Sequence, residues 1–287
     1  MCVVYLYVHI FSVSFMLPIH SSPDELEPTI VGNKRVNPMI ASQPVFGNSR
    51  LSGPQTTLPE YFGRMFKYTQ MDFDYTFAQM VYLCFAPNKV YQLTQYRKRT
   101  KGQWARDDPA FIVIQALFLS AAGFAYGVCF GETMHDQFRT FVYFIIGHFL
   151  ILGVVVSTAC ILLADKFLRK TASVHGVVQP MEWMYSFDVH CNAFFPLFLL
   201  TYVVQYLFLP LLYSNSLGAV VGSNLLHLCA VCYYCYIVSL GYNTLPFIER
   251  AEVFMAPALV FAVTTLFLCL TGTNLTIVFV EWTTGVF

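Results

Sequence analysis

The longest stretch of this chain without a charged side chain runs from Val189 to Ile248, about sixty residues without Asp, Glu, Lys or Arg. A helix needs roughly 20 apolar residues to cross a bilayer, so this stretch predicts at least two crossings. Three more uncharged runs meet the same requirement: Pro109–Gly131, Thr140–Ala164 and Val253–Val280. The pattern therefore predicts a multi-pass membrane protein.

The long uncharged run divides at Tyr213–Gly218, a cluster of turn-forming residues between two apolar stretches. Backbone groups inside lipid must be paired within their own segment, and these runs are too long and too continuously apolar for barrel strands. We therefore predict an all-α fold, a polytopic membrane bundle of five transmembrane helices at about 111–130, 140–164, 191–212, 219–240 and 253–273.

Composition agrees with this pattern, since 57% of the residues are hydrophobic and only 11% are charged, against about a quarter in an ordinary soluble domain. Charges concentrate in the first 110 positions and in short connections between spans. This division predicts no soluble catalytic domain. The predicted parts are a cytosolic tail at 1–60, a cytosolic segment at 61–108, the bundle at 109–280 and a short lumenal tail at 281–287.

Positively charged residues near the ends of the spans predict the orientation in the membrane. Three lie between the second and third spans, at Lys166, Arg169 and Lys170, and Arg250 lies between the fourth and fifth. The amino terminus is therefore expected in the cytosol and the carboxyl terminus in the lumen. Five more positive residues precede the first span, namely Arg97, Lys98, Arg99, Lys101 and Arg106.

The amino-terminal stretch Met1–Pro18 is apolar and uncharged, like the core of a signal peptide or an extra span. A signal peptide should begin with positive residues, which are absent here, and its cleavage would place the basic run in the lumen. We favour a true start at Met16 or a wrongly assigned first residue. The stretch Ser21–Pro59 is rich in Ser, Pro, Asn and Gly and is predicted to be disordered.

Polar groups within the spans have a structural and a functional interpretation. Cys229, Cys232 and Cys235 have the spacing of a metal-cluster motif but lie in an apolar helix, so we favour packing between helices.

Histidines and amides within the spans could form a proton or ion path, but no charged residue accompanies them, so we favour hydrogen bonds between helices. These residues are His148, Gln205, Asn224 and His227.

The segment before the first span begins with the polar residues Gln70 and Asp72 and continues into the apolar stretch Tyr75–Ala86. That stretch is too short to cross a bilayer, so we predict an interfacial helix. It would bring the basic run at 97–101 to the membrane surface, where each Lys or Arg contributes about 1 kcal/mol of binding to anionic lipid. The run could bind phosphoinositide headgroups or a coat protein, or only determine topology.

A dense polar motif, Gln103 to Phe111, directly precedes the first span. Paired aspartates can bind metal or transfer protons, but Asp108 also fits a helix N-cap with Pro109 as the first helical residue. Asp107 would then favour the positive end of the helix dipole or pair with Arg106. Trp104 is expected at headgroup level.

The third polar cluster, Glu182 to Pro196, contains Asp188 and His190 at the mouth of a span. These two side chains would point the same way only in an extended segment, which metal binding would require. In a helix, Asp188 and Asn192 share a face, as do Glu182 and Ser186. The Asp188–Asn192 pair would then close the cytosolic end of the bundle or meet the segment before the first span.

Several of these motifs occur in an order that resembles the uncoordinated-fifty (Unc-fifty) family of Golgi membrane proteins. The resemblance covers about Tyr61 to Thr276, and Met16-Leu17-Pro18 resembles the start of family members. It implies five spans with a cytosolic amino terminus and a lumenal carboxyl terminus. The motifs are Gln70 to Phe73, Tyr96 to Lys98, Gln103 to Phe111, Phe187 to His190 with Asn192 to Phe194, and Gly241-Tyr242 with Leu245 to Phe247.

The resemblance also implies a biological role. It implies residence in Golgi membranes, support of nicotinic acetylcholine receptor assembly or transport, and association with guanine-nucleotide exchange factors for Arf GTPases. Inner nuclear membrane localisation and RNA binding are attributed to animal members. RNA binding has little support in this sequence, because the basic run is short, adjoins the bilayer and belongs to no RNA-binding module.

Three functional classes follow from the sequence. The first is a non-enzymatic trafficking factor that contacts membrane lipids, vesicle machinery and client receptor subunits, and we favour it. The second is an intramembrane lipid-modifying enzyme that uses Asp107, Asp108, Asp188 and His190, and the third is a small-molecule carrier.

We assign no catalytic residue, metal ligand or cofactor. The candidate contacts to a partner or lipid headgroup are Arg97, Lys98, Arg99, Lys101, Trp104 and Arg106, and the remaining cytosolic motif residues are Gln70, Asp72, Asp107, Asp108, Glu182, Asp188, His190 and Asn192.

Overall fold

A computed structural model describes residues 71–131, 133–170 and 181–285. The regular elements in these ranges are helices, accompanied by one isolated β-bridge between Arg169 and Ile248. Five helices are long and apolar enough to cross a membrane, which confirms the predicted all-α polytopic bundle. The predicted tail at 1–60, the apolar start at 1–18 and Gln70 lie outside the described residues.

Nine helical elements follow one another along the described chain, and some contain π-helical or 3₁₀ turns. The five spans are α3, α4, α5, α7 and α8. The bounds are α1 Phe73–Phe85, α2 Pro87–Lys101, α3 Ala110–Phe130, α4 Met134–Leu168, α5 Trp183–Leu207, α6 Leu209–Leu212, α7 Leu217–Asn243, α8 Ala251–Thr271 and α9 Leu275–Thr284.

The stretch predicted as an interfacial helix forms α1, and the basic run after it forms a second helix, α2. Asp72 caps α1, since its carboxylate accepts a hydrogen bond from the Tyr75 N–H at 3.0 Å. Pro87 ends α1 and begins α2, because proline has no N–H to donate but fits the first turn of a helix. Gly102 ends α2 with φ of 76°, which glycine adopts without steric cost.

Helix α5 is the central helix of the bundle. In its most apolar window 72% of the residues are buried, against 28–50% in the other four spans. It packs against α4 and α7, while α3 packs against α4. A side chain at Gly123 would come within 2.9 Å of the Phe141 backbone, so this glycine lets α3 and α4 approach closely.

Helix α5 begins earlier than the sequence predicts, at Trp183 rather than near 191, and ends at Leu207 rather than 212. The prediction placed the span after Asp188 because a charge is costly in lipid. In the structure Arg106 neutralises Asp188, so the helix includes it. The continuous helix ends at Leu207 and the short helix α6 follows, because Pro210 has no N–H to continue the hydrogen-bond ladder.

The chain returns into the bundle after the fifth span. Gly272 ends α8 with φ of 72°, and Asn274 caps the ten-residue helix α9. This helix is too short to cross a bilayer, and it packs against α3, α4 and α7. The region predicted as the end of the bundle and the start of a tail is therefore a helix as far as Thr284.

Three charged segments lie at one end of the bundle. The Lys170 N–H donates to the Phe247 carbonyl at 3.0 Å, and the Glu249 N–H donates to the Leu168 carbonyl at 2.7 Å. These bonds join the α4–α5 connection to the α7–α8 connection. Glu182, at the start of α5, joins the α4–α5 connection to the third segment, the loop before α3. We call this the charged end, formed by residues 97–109, 165–170, 182–188 and 247–250.

Candidate functional site

Arg106 is the most buried charged residue of the charged end. Its Nε lies 3.4 Å from Asp188 Oδ1, and its Nη2 donates to Asn192 Oδ1. The guanidinium also lies 4.3 Å from the centre of the Phe111 ring. Asp188 and Asn192 are one turn apart on α5, so the predicted shared face exists and meets the segment before the first span.

Glu182 binds the loop between α2 and α3. Its Oε2 accepts hydrogen bonds from the Trp104 N–H at 3.0 Å and the Ala105 N–H at 3.1 Å. Its Oε1 lies 3.5 Å from Lys98 Nζ. A carboxylate that accepts two backbone N–H groups beside an ammonium holds the loop firmly. Glu182 therefore attaches the end of α2 to the start of α5.

Trp104, expected at headgroup level, is buried within the protein. Only 6% of its surface is exposed. Its ring packs against Tyr185 at 6.0 Å between centroids, and Lys98 Nζ lies 5.3 Å from the ring centre. The backbone bonds to Glu182 pull the loop inward, so the indole packs against α5.

The two adjacent aspartates have separate structural partners. Asp107 forms an ion pair with Lys101 at 2.8 Å rather than with Arg106. Asp108 Oδ1 accepts from the Ala110 N–H and Oδ2 accepts from the Asp72 N–H, both at 2.9 Å. The sequence predicts Asp108 as the N-cap of α3, but Pro109 occupies that position and the helix begins at Ala110, so Asp108 binds the first turn from one residue further out. It also fixes the start of α1.

His190 lies on a different side of α5 from Asp188. It is 2% exposed, and its Nδ1 lies 2.8 Å from the Tyr234 hydroxyl of α7. Residues two apart in a helix point to different sides. The extended conformation that a shared metal would require is absent at this position. No group of three or more His, Cys, Asp or Glu side chains could hold a metal ion within the described ranges.

Two tyrosines that the sequence analysis did not single out attach α1 and α2 to the bundle. The Tyr91 hydroxyl donates to the Ile237 carbonyl at 3.0 Å, and burial raises the pKa of this phenol. The Tyr233 hydroxyl donates to the carbonyls of Leu83 and Cys84, both at 2.9 Å. These contacts span about 150 positions of sequence, so no local pattern could have indicated them.

The outward surface of the charged end is smaller than the predicted contact set. Arg97 is half-buried, and Lys98 and Arg106 have the internal partners described above. Arg99 and Lys101 are exposed at the end of α2. Tyr96 is 66% exposed beside them. Within the predicted contact set, Arg99 and Lys101 are therefore the residues most accessible to an anionic partner.

Two of the four polar residues within the spans connect helices as favoured from the sequence, whereas both polar side-chain atoms of Gln205 are buried without a hydrogen-bond partner among the described residues. Asn224 of α7 donates from Nδ2 to the Thr273 carbonyl at 3.0 Å and accepts from the Leu275 N–H at 3.1 Å. His148 of α4 is hydrogen-bonded to Tyr202 of α5. His227 instead donates to Ser223 of its own helix at 3.0 Å. Cys235 is buried in α7, and Cys229 is exposed.

Comparisons with known proteins place this architecture in a family. The UNC-50 family profile matches residues 61–284. A protein named unc-50 homolog from Dictyostelium discoideum is 42% identical over 229 residues, which cover 79% of this chain and 88% of the relative. Protein unc-50 from Caenorhabditis elegans is 38% identical over 201 residues, which cover 70% and 65%.

The unc-50 homolog of Homo sapiens is 36% identical over 200 residues, which cover 69% of this chain and 76% of the relative. No solved structure matches the chain. The family profile extends from ten residues before the first described position to the last residue of α9, and so includes every element above. The chain therefore belongs to the UNC-50 family.

Proposed function

We propose that this protein is a non-enzymatic Golgi membrane protein that supports the transport and assembly of cell-surface receptors of the nicotinic acetylcholine receptor type. In this proposal the charged end faces the cytosol and recruits guanine-nucleotide exchange factors for Arf GTPases or other vesicle machinery. The spans contact client receptor subunits. Family membership supports the general role, and the geometry of the charged end supports the manner of recruitment.

The observation that carries the proposal is a rigid helix end with an exposed basic tip. Lys98 and Lys101 form ion pairs with Glu182 and Asp107, which fix the last turn of α2 against α5 and the α3 loop. Arg99 and Tyr96 remain exposed on this fixed turn. A preorganised basic surface loses little conformational entropy when an acidic partner or an anionic headgroup binds.

The contacts of the candidate acid and base groups favour a non-enzymatic role over a lipid-modifying enzyme. Asp107 pairs with Lys101, Asp108 caps helices, and Asp188 pairs with Arg106. His190 lies within the bundle against Tyr234. General acid–base catalysis needs groups that can reach the same substrate. Each of these groups instead has its own partner in the fold.

Proximity labelling from the amino terminus in cells tests the proposal. We expect Arg99→Ala combined with Tyr96→Ala to remove Arf exchange factors or coat components from the labelled proteins, with Golgi residence unchanged. The matched control is Lys89→Ala, which changes an exposed lysine at the other end of the same helix. If the labelled set is the same for both variants and for the wild type, the basic tip is not the recruitment surface.

A further inference from the structure

A cavity of about 60 Å³ lies inside the bundle. Its walls come from α4, α5, α7, α8 and α9, and the residues that line it include Leu152, Leu197, Val231 and Phe261. Each of these lies near the middle of its own span, since the spans run from 134 to 168, 183 to 207, 217 to 243 and 251 to 271. The cavity is therefore at the depth of the bilayer midplane.

The cavity has one side that is less enclosed than the others. Eleven of its thirteen lining residues are buried, and the two half-buried ones are Leu152 and Val156 on α4. Their neighbours Ile151 and Val155 are exposed on the outer surface of the same helix. The outer surface at mid-span faces lipid in a membrane, so an opening beside Leu152 and Val156 would face the hydrocarbon core.

The chemistry of the lining favours hydrocarbon over water. Tyr202 is hydrogen-bonded to His148, Tyr234 to His190 and the Thr201 hydroxyl to the Leu197 carbonyl, so these polar groups bond within the protein. One lining atom, His227 Nε2, is buried without a hydrogen-bond partner in the described part of the chain. Eight of the thirteen lining residues are Leu, Val or Phe, so most of the wall offers no polar partner to a buried water, which needs two to four.

Two π-helical segments form part of the wall, and π-helical turns often mark functional sites. His148 belongs to the segment Tyr143–Ile151 of α4, and Thr201 and Tyr202 belong to the segment Leu199–Val204 of α5. The His148–Tyr202 hydrogen bond joins the two segments directly beside the cavity. The irregular backbone of two neighbouring spans therefore coincides with the empty volume.

We propose that this cavity binds the end of a hydrocarbon chain of a membrane lipid, which enters from the bilayer beside Leu152 and Val156. Chain ends of bilayer lipids lie at the midplane, which is the depth of the opening. A water-sized group needs roughly 10–15 Å³ of such a volume, so about 60 Å³ holds about four to six such groups. That room fits the last few carbons of a chain and excludes a headgroup.

Photocrosslinking of the full chain in phosphatidylcholine vesicles tests this site. The probe is a phosphatidylcholine with a diazirine next to the terminal methyl of one acyl chain, and labelled residues are located by peptide mass spectrometry. We expect label on Val231 and Phe261, which are 4% and 3% exposed and line the cavity. The same lipid with its diazirine beside the ester should label the helix ends instead.

Adjacent valines on α4 provide a matched pair of variants. Val156→Phe places a ring at the opening, and Val155→Phe places one on the lipid-facing surface. We expect Val156→Phe to reduce the label on Val231 and Phe261 by about tenfold or more, because a ring that overpacks the entrance makes binding of the chain end less favourable. Val155→Phe should leave the label unchanged. Melting temperatures in detergent check that both variants fold.

Two results would overturn the proposal. The first is label from the chain-end probe confined to lipid-facing residues such as Val155 and Val263 in the wild type. The second is equal label on Val231 in a folded Val156→Phe variant and in the wild type. If Val156→Phe does not fold, the wild-type map decides alone, because a lipid chain reaches Val231 and Phe261 only through the cavity.

Discussion

At the scale of single residues, Arg106 shows how a buried charge can hold the charged end together. Its guanidinium contacts an aspartate, an asparagine and a phenylalanine, while its Nη1 is buried without a hydrogen-bond partner among the described residues. Removal of one partner of such a pair leaves the other charge buried and unpaired. Arg106 therefore has a structural role at a position that the sequence indicated as a contact to a partner or lipid headgroup, or as a partner of Asp107.

We expect Arg106→Ala to lower the free energy of unfolding by about 3–5 kcal/mol, because Asp188 would lose its partner. Thermal unfolding of the purified protein in detergent measures the change. Arg99→Ala is the matched control, since Arg99 is exposed, and it should leave the melting temperature nearly unchanged. Equal melting temperatures for both variants would show that the buried pair contributes nothing.

Asp108 provides a second test at the residue scale, because capping and proton transfer make different demands on its side chain. The Ala110 N–H donates to Oδ1 and the Asp72 N–H to Oδ2, so Asp108→Asn keeps one of these two acceptor oxygens, whereas Asp108→Ala removes both. We expect a loss of about 0.5–2 kcal/mol for Ala and a smaller loss for Asn. Full trafficking activity in the Asn variant would agree with a cap, and its loss in a folded Asn variant would indicate chemistry.

At the scale of elements, the packing of α4 on α5 depends on Gly153. A Cβ at this position would lie 2.8 Å from the His190 ring and 3.0 Å from the Phe187 ring. His190 fills the space beside a glycine and is hydrogen-bonded to Tyr234. Packing beside Gly153 and the hydrogen bond to Tyr234 give this buried histidine a structural role.

We expect Gly153→Ala to destabilise the protein by about 1–3 kcal/mol through overpacking. His190→Ala should remove the clash, so the double variant should lose less than the sum of the two single variants. Gly218→Ala is the control, because nothing lies within 4 Å of a Cβ there. Additive losses in the double variant would mean that Gly153 and His190 do not share this contact.

The elements also show what the sequence could predict. Five apolar runs predicted five spans because the bilayer imposes a length and a polarity on each crossing independently of the rest of the chain. The face shared by Asp188 and Asn192 followed from helix geometry. The start of α5 could not be predicted in this way, because the charge of Asp188 is compensated by Arg106, which lies 82 positions earlier.

Other features of the site depend on contacts far apart in sequence. The carboxylate of Glu182 binds backbone N–H groups 77 and 78 positions away. Helix α9 was missed because a span and a short returning helix have the same apolar composition, and only the Gly272 turn and the Asn274 cap separate them. The π-helical segments have no sequence signature that periodicity could detect.

At the scale of the whole molecule, the fold gathers three separated charged segments at one end of an apolar bundle. The connections α4–α5 and α7–α8 meet through backbone hydrogen bonds, and the loop before α3 joins them at Glu182. The turn between α5 and α7, at 213–216, lies at the opposite end because α5 crosses between them. The central claim is that the charged end is a cytosolic surface, on which recruitment of vesicle machinery depends.

The most direct test of this claim is the accessibility of single introduced cysteines in cells whose plasma membrane is permeabilised while the Golgi stays intact. A membrane-impermeant maleimide is added, and labelled peptides are identified by mass spectrometry, so the nine native cysteines can remain. We expect label at Arg99→Cys and Lys170→Cys without disruption of the Golgi membrane, and at Asn215→Cys only after detergent. The reverse pattern, with Asn215→Cys labelled and the other two protected, would place the charged end in the lumen and contradict the proposed recruitment.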